Sequence, residues 1–246
     1  MFTSVAIAQL VQQGKLSYAE PIGEYLADYP NKSAAEKVTL HHLLTHTSGL
    51  SEYSDKKEYR PARQVGGRFK TLEDWFPYFA NDPLAFEPGA KSDYSNSNFI
   101  VLGVILEKVT GQTYFDYVRE HIFKPAGMNN TILNVATGNS AGGGLSTVED
   151  LLRFTVALRK HNLLSGKYTD TILTSRINTA EGEWYGYGFE IRRINGRYIV
   201  GHSGGGEADN NLEMFLDDDY TVVILAKPYA GRNITRKLRE LIIGDA

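Results

Sequence analysis

Cysteine is absent from the 246 residues. That excludes disulfides, thiolate metal sites and a cysteine nucleophile, and it leaves oxidising and reducing compartments equally open. Positive charge is no more abundant than negative: 26 Lys and Arg stand against 29 Asp and Glu, and the cations are scattered along the chain. No basic footprint for nucleic acid results. Long apolar runs are missing too. Stretches such as "FIVLGVIL" are far too short to span a bilayer, so neither a nucleic-acid partner nor a membrane span is expected. Internal repeats and low-complexity tracts are lacking, and the start carries no positively charged leader or cleavage-site pattern. What remains is a globular composition, 42% hydrophobic and 22% charged, in a chain long enough for a large core in one domain or two lobes.

The punctuation divides the chain into a long helical part and a shorter strand-rich part. Phe2, Ala6, Ile7, Leu10 and Val11 fall at helical spacing and Gly14 offers a stop, yet no capping side chain stands before them. Thr39 is placed to cap "LHHLLTH", and Thr71 with Asp74 has capping-box spacing ahead of "WFPYF". "FEPGAKSDYSNSN" reads as a loop entering a helix from about Asn96 to Val109, which stops at Gly111. Thr113 and Asp116 open the next helix, which Pro125 is expected to end. After a flexible glycine run, Ser146 and Glu149 form a capping box for a further helix.

From Trp184 the period changes to two. "YGYGFEIRRINGRYIVGHSGG" reads as a hairpin turning at Asn195-Gly196, and "NLEMFLDDDYTVVILA" as a second turning at Asp217 to Asp219. The last helix places Ile234, Leu238, Leu241 and Ile242 on one face, expected to pack on the sheet. These strands alone would leave a sheet edge unpaired, a hazard that folded proteins normally cover.

Three stretches are candidates for chemistry. Tyr94-Ser95-Asn96 sits where a loop meets a helix, so its side chains can project from a fixed backbone; equally, Ser95 or Asn96 caps the helix while Tyr94 packs. In "GHSGGG", His202, Ser203, Gly204 and Gly205 end a strand, where a substrate can lie against the edge and a backbone N–H can meet a developing oxyanion. The competing reading there is a glycine bulge beside a hydrogen-bonded histidine. His42 and His46, four apart, have the spacing of a metal pair, but no Glu follows in a His-Glu-x-x-His arrangement and no third ligand is placed, so they are read as structural. No metal and no cofactor is expected.

Together the stretches "VAIAQLVQQGKLS", "VTLHHLLTHTSGL", "FEPGAKSDYSNSNFIVLGVILEKVTGQTY", "IFKPAGMNNT", "SAGGGLSTVEDLLRF" and "GHSGGG" resemble the serine β-lactamase and penicillin-binding family. The likeness is to the branch with class C β-lactamases, family VIII-type esterases and D-amino-acid peptidases. It implies an α+β fold: an antiparallel sheet flanked by terminal helices plus a mostly helical lobe, without the N-terminal strands. The expected lobes are 1–18 with 145–246, and 19–144. Of the family's three motifs, Tyr-x-Asn is matched by Tyr94-Ser95-Asn96 and the Lys-Thr-Gly or His-Ser-Gly motif by His202-Ser203-Gly204. Ser-x-x-Lys is matched only by Ser54 to Lys57, in the wrong order and context. By resemblance the missing motif would lie just before Met1, so a shortened chain is expected.

The resemblance further implies a serine hydrolase that transfers the acyl group of an ester, amide or D-amino-acid peptide to water. Tyr94, Asn96, His202 and Gly205 are the expected catalytic residues, with Ser203 and Gly204 binding substrate. Without its nucleophile motif the chain is expected to be inactive; the alternative is a non-catalytic ligand- or peptidoglycan-binding homologue. A periplasmic or extracellular location is implied if a leader preceded these residues.

Overall fold

The computed structural model describes residues 1–59, 69–205, 208–227 and 231–244. The chain divides into two compact units, one of residues 2–121 and 132–145, the other of Met1, 122–131 and 146–246.

In the first unit, helix α1 (Phe2–Gln12) ends ahead of Gly14, whose φ of 70° is the left-handed conformation that glycine adopts without strain. Helix α2 (Lys32–Lys37) is capped by Asn31, whose side chain accepts from the Ala34 N–H. Helix α3 (Leu40–Leu44) begins at Thr39 as expected, but the reciprocal partner in its capping box is His42, whose Nδ1 accepts the Thr39 N–H at 3.1 Å. The Thr71 segment forms a 3₁₀ helix (Leu72–Tyr78), with the Asp74 carboxylate accepting the Thr71 N–H. Helix α4 (Ser97–Thr110) is buried all round from Ser97 to Leu106, the mark of a central helix rather than an amphipathic one. It packs against α1, α3, the 3₁₀ segment and α5 (Tyr114–Val118). Thr3 ties this core together, its hydroxyl bonding to the Tyr114 hydroxyl and the Ser140 carbonyl.

Pro125 does not end α5. That helix stops at Val118 and gives way to a wide π turn, while Pro125 lies in the first turn of α6 (Lys124–Ala126), where its missing N–H costs nothing. The glycine run folds back on itself instead of trailing, with Ile132 bridged to Leu145 and Gly138 to Gly143.

In the second unit α7 (Val148–Arg159) is capped by Thr147, which accepts from the Asp150 N–H, one residue later than the expected Ser146. The Ser146 hydroxyl is engaged with that of Thr131. Helix α8 (Gly166–Leu173) leads into six described strands in chain order. They are β1 (Ile177–Ala180), β2 (Glu183–Tyr185), β3 (Glu190–Ile194), β4 (Arg197–Gly204), β5 (Asp209–Phe215) and β6 (Tyr220–Ala226). Every neighbouring pair is antiparallel. The two turns fall where the sequence placed them, with positive φ at Asn195, Gly196 and Asp219. Strand structure starts earlier than Trp184, at Ile177; β1 is almost wholly exposed and shows no alternation that would mark it in the sequence.

Helix α9 (Gly231–Ile243) packs on β5 and β6. Its contact face keeps half of the expected apolar stripe: Leu238 and Ile242 are partly buried, Ile234 and Leu241 are exposed, and Gly231 and Thr235 are buried. This seating brings Arg239 against Glu213, a carboxylate buried in β5.

Candidate active site

Tyr94 lies two residues before α4. Its ring stacks on His46 at 4.1 Å between centroids, and the side chain remains half exposed. His46 has little freedom: it is buried, with Nδ1 accepting the Ser95 N–H at 3.2 Å and lying 3.1 Å from Asn98 Nδ2. Asn96 occupies the cap position of α4, but its side chain makes no capping bond. The Glu52 carboxylate accepts the Asn96 N–H instead, and the Ser97 hydroxyl accepts that of Tyr53. The capping reading of Asn96 is therefore set aside, and Tyr94 both packs and projects. The two histidines read as structural have helix-start and ring-platform roles, and no group of three or more metal-binding side chains occurs among the described residues.

In the second unit, β4 carries His202 to Gly204. No bulge occurs there: pairing with β5 runs regularly through Gly201–Glu213, His202–Leu212, Ser203–Asn211 and Gly204–Asn210. On its other side, pairing with β3 ends at Glu190–Gly201. Beyond that point the Ser203 N–H has no strand partner and donates to Glu190 Oε1 at 3.2 Å; the Ser203 hydroxyl donates to the same oxygen at 2.8 Å. Gly204 and Gly205 are exposed, and a Cβ on Gly205 would meet nothing within 4 Å.

His202 Nδ1 lies 2.6 Å from the Ser203 carbonyl, which can only accept, so Nδ1 carries the proton. Nε2 lies 2.9 Å from the Tyr185 hydroxyl and accepts from it in the neutral ring. Burial pushes the imidazole below its ordinary pKa, against the opposing pull of Glu190, whose Oε1 is 3.7 Å from Nδ1. Burial alone would raise the Glu190 carboxyl, but His202, Arg192 and the two Ser203 donors outweigh it and hold the group below the usual carboxylate range. Arg192 reaches Glu190 and Glu183 at 2.9 Å each and Glu213 at 3.7 Å.

Glu190 and Tyr185 are the residues that the motif reading passed over. The signal for Glu190 was available: a two-residue turn at Asn195-Gly196 fixes Ile194 opposite Arg197, and counting back along both strands sets Glu190 opposite Gly201. A cavity of about 480 Å³ lined by Arg193, Gly196, Tyr198, Leu216 and Asp217 lies at the other end of β4 from His202.

A six-stranded antiparallel meander whose fourth strand ends in His-Ser-Gly, and a buried helix with Tyr-Ser-Asn at its head, have clear counterparts. The beta-lactamase family profile matches residues 1–236, and the chain belongs to that family of serine hydrolases. Penicillin-binding protein 4* of Bacillus subtilis is 27% identical across 92% of this chain and 58% of its own length. A putative D-alanyl-D-alanine carboxypeptidase of Escherichia coli is 34% identical across 54% of this chain and 31% of its own. The chain thus spans between about a third and three fifths of these two relatives. Among solved structures, a penicillin-binding protein from Bacillus halodurans superposes with a TM-score of 0.84 at 30% identity, covering 98% of this chain and 82% of that one. A D-stereospecific amidohydrolase from Streptomyces shares the fold with a TM-score of 0.87 at 23% identity, covering 100% and 84%.

Proposed function

We propose that these residues carry the second and third motifs of a serine acyl hydrolase acting on esters, amides or D-amino-acid peptides. In this reading a serine hydroxyl attacks the carbonyl carbon, its proton passing to Tyr94. The leaving group departs with a proton, and water cleaves the resulting acyl-enzyme. A free tyrosine titrates near pH 10, so this role needs a neighbouring positive charge to favour the phenolate. Asn96, with its amide left out of helix capping, orients that cation or hydrogen-bonds substrate. The Gly205 N–H is one oxyanion donor; Ser203 and Gly204 form the strand edge along which substrate lies. Ser54 to Lys57 does not supply the nucleophile motif: Ser54 lies in a 3₁₀ turn (Tyr53–Asp55) after Glu52, not in the first turn of a packed helix.

The observation that carries the reading is the unbulged end of β4 at His202 to Gly204, open to solvent from Ser203 to Gly205, in a chain of this family. A neutral His202 offers no fixed positive charge to a carboxylate, which favours esters and small peptides over penicillins. The test uses the 246-residue chain and the same chain with a Ser-x-x-Lys turn joined ahead of it. The first should give no mass increase with an activated ester or penicillin. The second should acylate at the added serine and cleave short-chain p-nitrophenyl esters faster than penicillins. An adduct on any serine of the first contradicts the assignment. Ligand binding by both without acylation of either would favour the non-catalytic homologue.

A further inference from the structure

Glu190 belongs to neither sequence motif, yet its carboxylate takes the place where the edge of β4 would offer its next hydrogen bond. Ser203 spends both its N–H and its hydroxyl on one oxygen of that carboxylate. A ligand carboxylate approaching the same donors would have to displace a group of its own charge, whereas an ammonium would meet an acceptor already oriented. We propose that Glu190 is a specificity-determining residue that makes the His202–Ser203 strand end select ligands bearing a free amine and reject those bearing a carboxylate. This rests on the hydrolase reading above and names the substrate class within it.

Arg192 does not cancel this charge. Its guanidinium is shared among Glu190, Glu183 and Glu213, and Glu213 is also held by Arg239. Three carboxylates against two guanidiniums leave one net negative charge, and the part-buried His202 adds none in its neutral form. Among these carboxylates, Glu213 is buried in β5 behind its two arginines. Glu183 is the more exposed; its carboxylate accepts from Arg192 Nε, and it stands on β2, with β3 between that strand and β4. Glu190 is the one joined to the open strand end, with about a fifth of its side chain exposed. Exchange of the carboxylate for a carboxamide keeps an acceptor for Ser203 while removing the charge, so charge and shape can be separated.

The experiment follows the amide signals of Ser203, Gly204 and Gly205 in the ¹⁵N-labelled 246-residue chain. It is titrated with D-phenylalanine amide, which has an ammonium and no carboxylate, and with N-acetyl-D-phenylalanine, which has the reverse. The amide should bind roughly tenfold more tightly than the acid, and Glu190→Gln should abolish or invert that preference. The same preference in the unsubstituted chain should shrink as salt is raised from about 0.05 to about 0.5 M, which tests the charge even if the variant does not fold. A preference unchanged in Glu190→Gln, insensitive to salt, or reversed in the unsubstituted chain overturns the inference and leaves the hydrolase reading standing. If neither probe moves these signals in any preparation, both fail together.

Discussion

The Tyr185 hydroxyl lies within hydrogen-bond distance of Nε2 of His202, at 2.9 Å, while the opposite ring nitrogen donates to the Ser203 carbonyl. In the neutral ring, which burial favours, Nε2 is unprotonated and accepts from that phenol. Burial lowers the pKa of this ring, so the folded state binds fewer protons than the unfolded state just below pH 6.5. The contribution to stability is therefore complete above about pH 6.5 and is lost as pH falls from there through the folded value. Nitrogen NMR should find the proton on Nδ1 and a titration midpoint below about 6.5. Tyr185→Phe, by removing the donor that favours the neutral ring, should move the midpoint upward. A midpoint above the ordinary value in the unsubstituted chain would contradict this.

Gly201, next to His202, has no room for a side chain. A Cβ there would lie 1.8 Å from the Leu212 carbonyl oxygen, and the obstruction is backbone of the paired strand rather than a side chain that can turn away. Gly201→Ala should cost at least about 3 kcal/mol in urea unfolding, because β4 and β5 must separate locally to admit it. Gly205→Ala, which enters open space, should change stability by less than about 0.5 kcal/mol. Equal effects at the two positions would mean that the strands yield more easily than their register suggests.

His46 holds the backbone and the ring on either side of Tyr94-Ser95. His46→Ala strands the Ser95 N–H, removes a partner of Asn98 and takes away the surface on which Tyr94 stacks. A loss of about 2–4 kcal/mol is expected. The ring-current displacement of the Tyr94 proton signals should vanish with it. If those signals stay in place, Tyr94 is positioned by something other than this stack.

Elements set by local chemistry were legible in the sequence. Gly111 ends a helix, Asn195-Gly196 turns a hairpin, and Thr39 starts a helix because each decision is made by the residue's own backbone or its neighbour three positions on. Elements set by distant partners were not. Ser146 looks as good a cap as Thr147 until Thr131, fifteen residues earlier, claims its hydroxyl. Within the candidate site the motif residues stood out by family likeness. Tyr185 and Glu190 did not, because their roles come from strand register: Glu190 faces Gly201 and Tyr185 faces Glu190 only once three strands are laid side by side.

The orientation of the terminal helix is the clearest case of a buried charge overruling an apolar pattern, and it can be tested by removing that charge. Glu213 is buried in β5, and Arg239 of α9 grips it through Nη2 and through Nε at 3.2 Å. Bringing that guanidinium inward turns Ile234 and Leu241 out to solvent, where Leu241 is 81% exposed. Glu213→Gln leaves the Arg192 and Arg239 guanidiniums facing each other without their shared anion, a loss of about 3 kcal/mol or more. Replacing both members, Glu213→Leu with Arg239→Met, removes the desolvated charges together and should recover much of that loss. With the charge gone, the apolar stripe should govern instead, and Leu241 should become protected from solvent as the helix turns. A Glu213→Gln variant as stable as the unsubstituted chain, or a double variant in which Leu241 stays exposed, would show that the helix is seated by its backbone contact at Gly231 and Asp209 rather than by the ion pair.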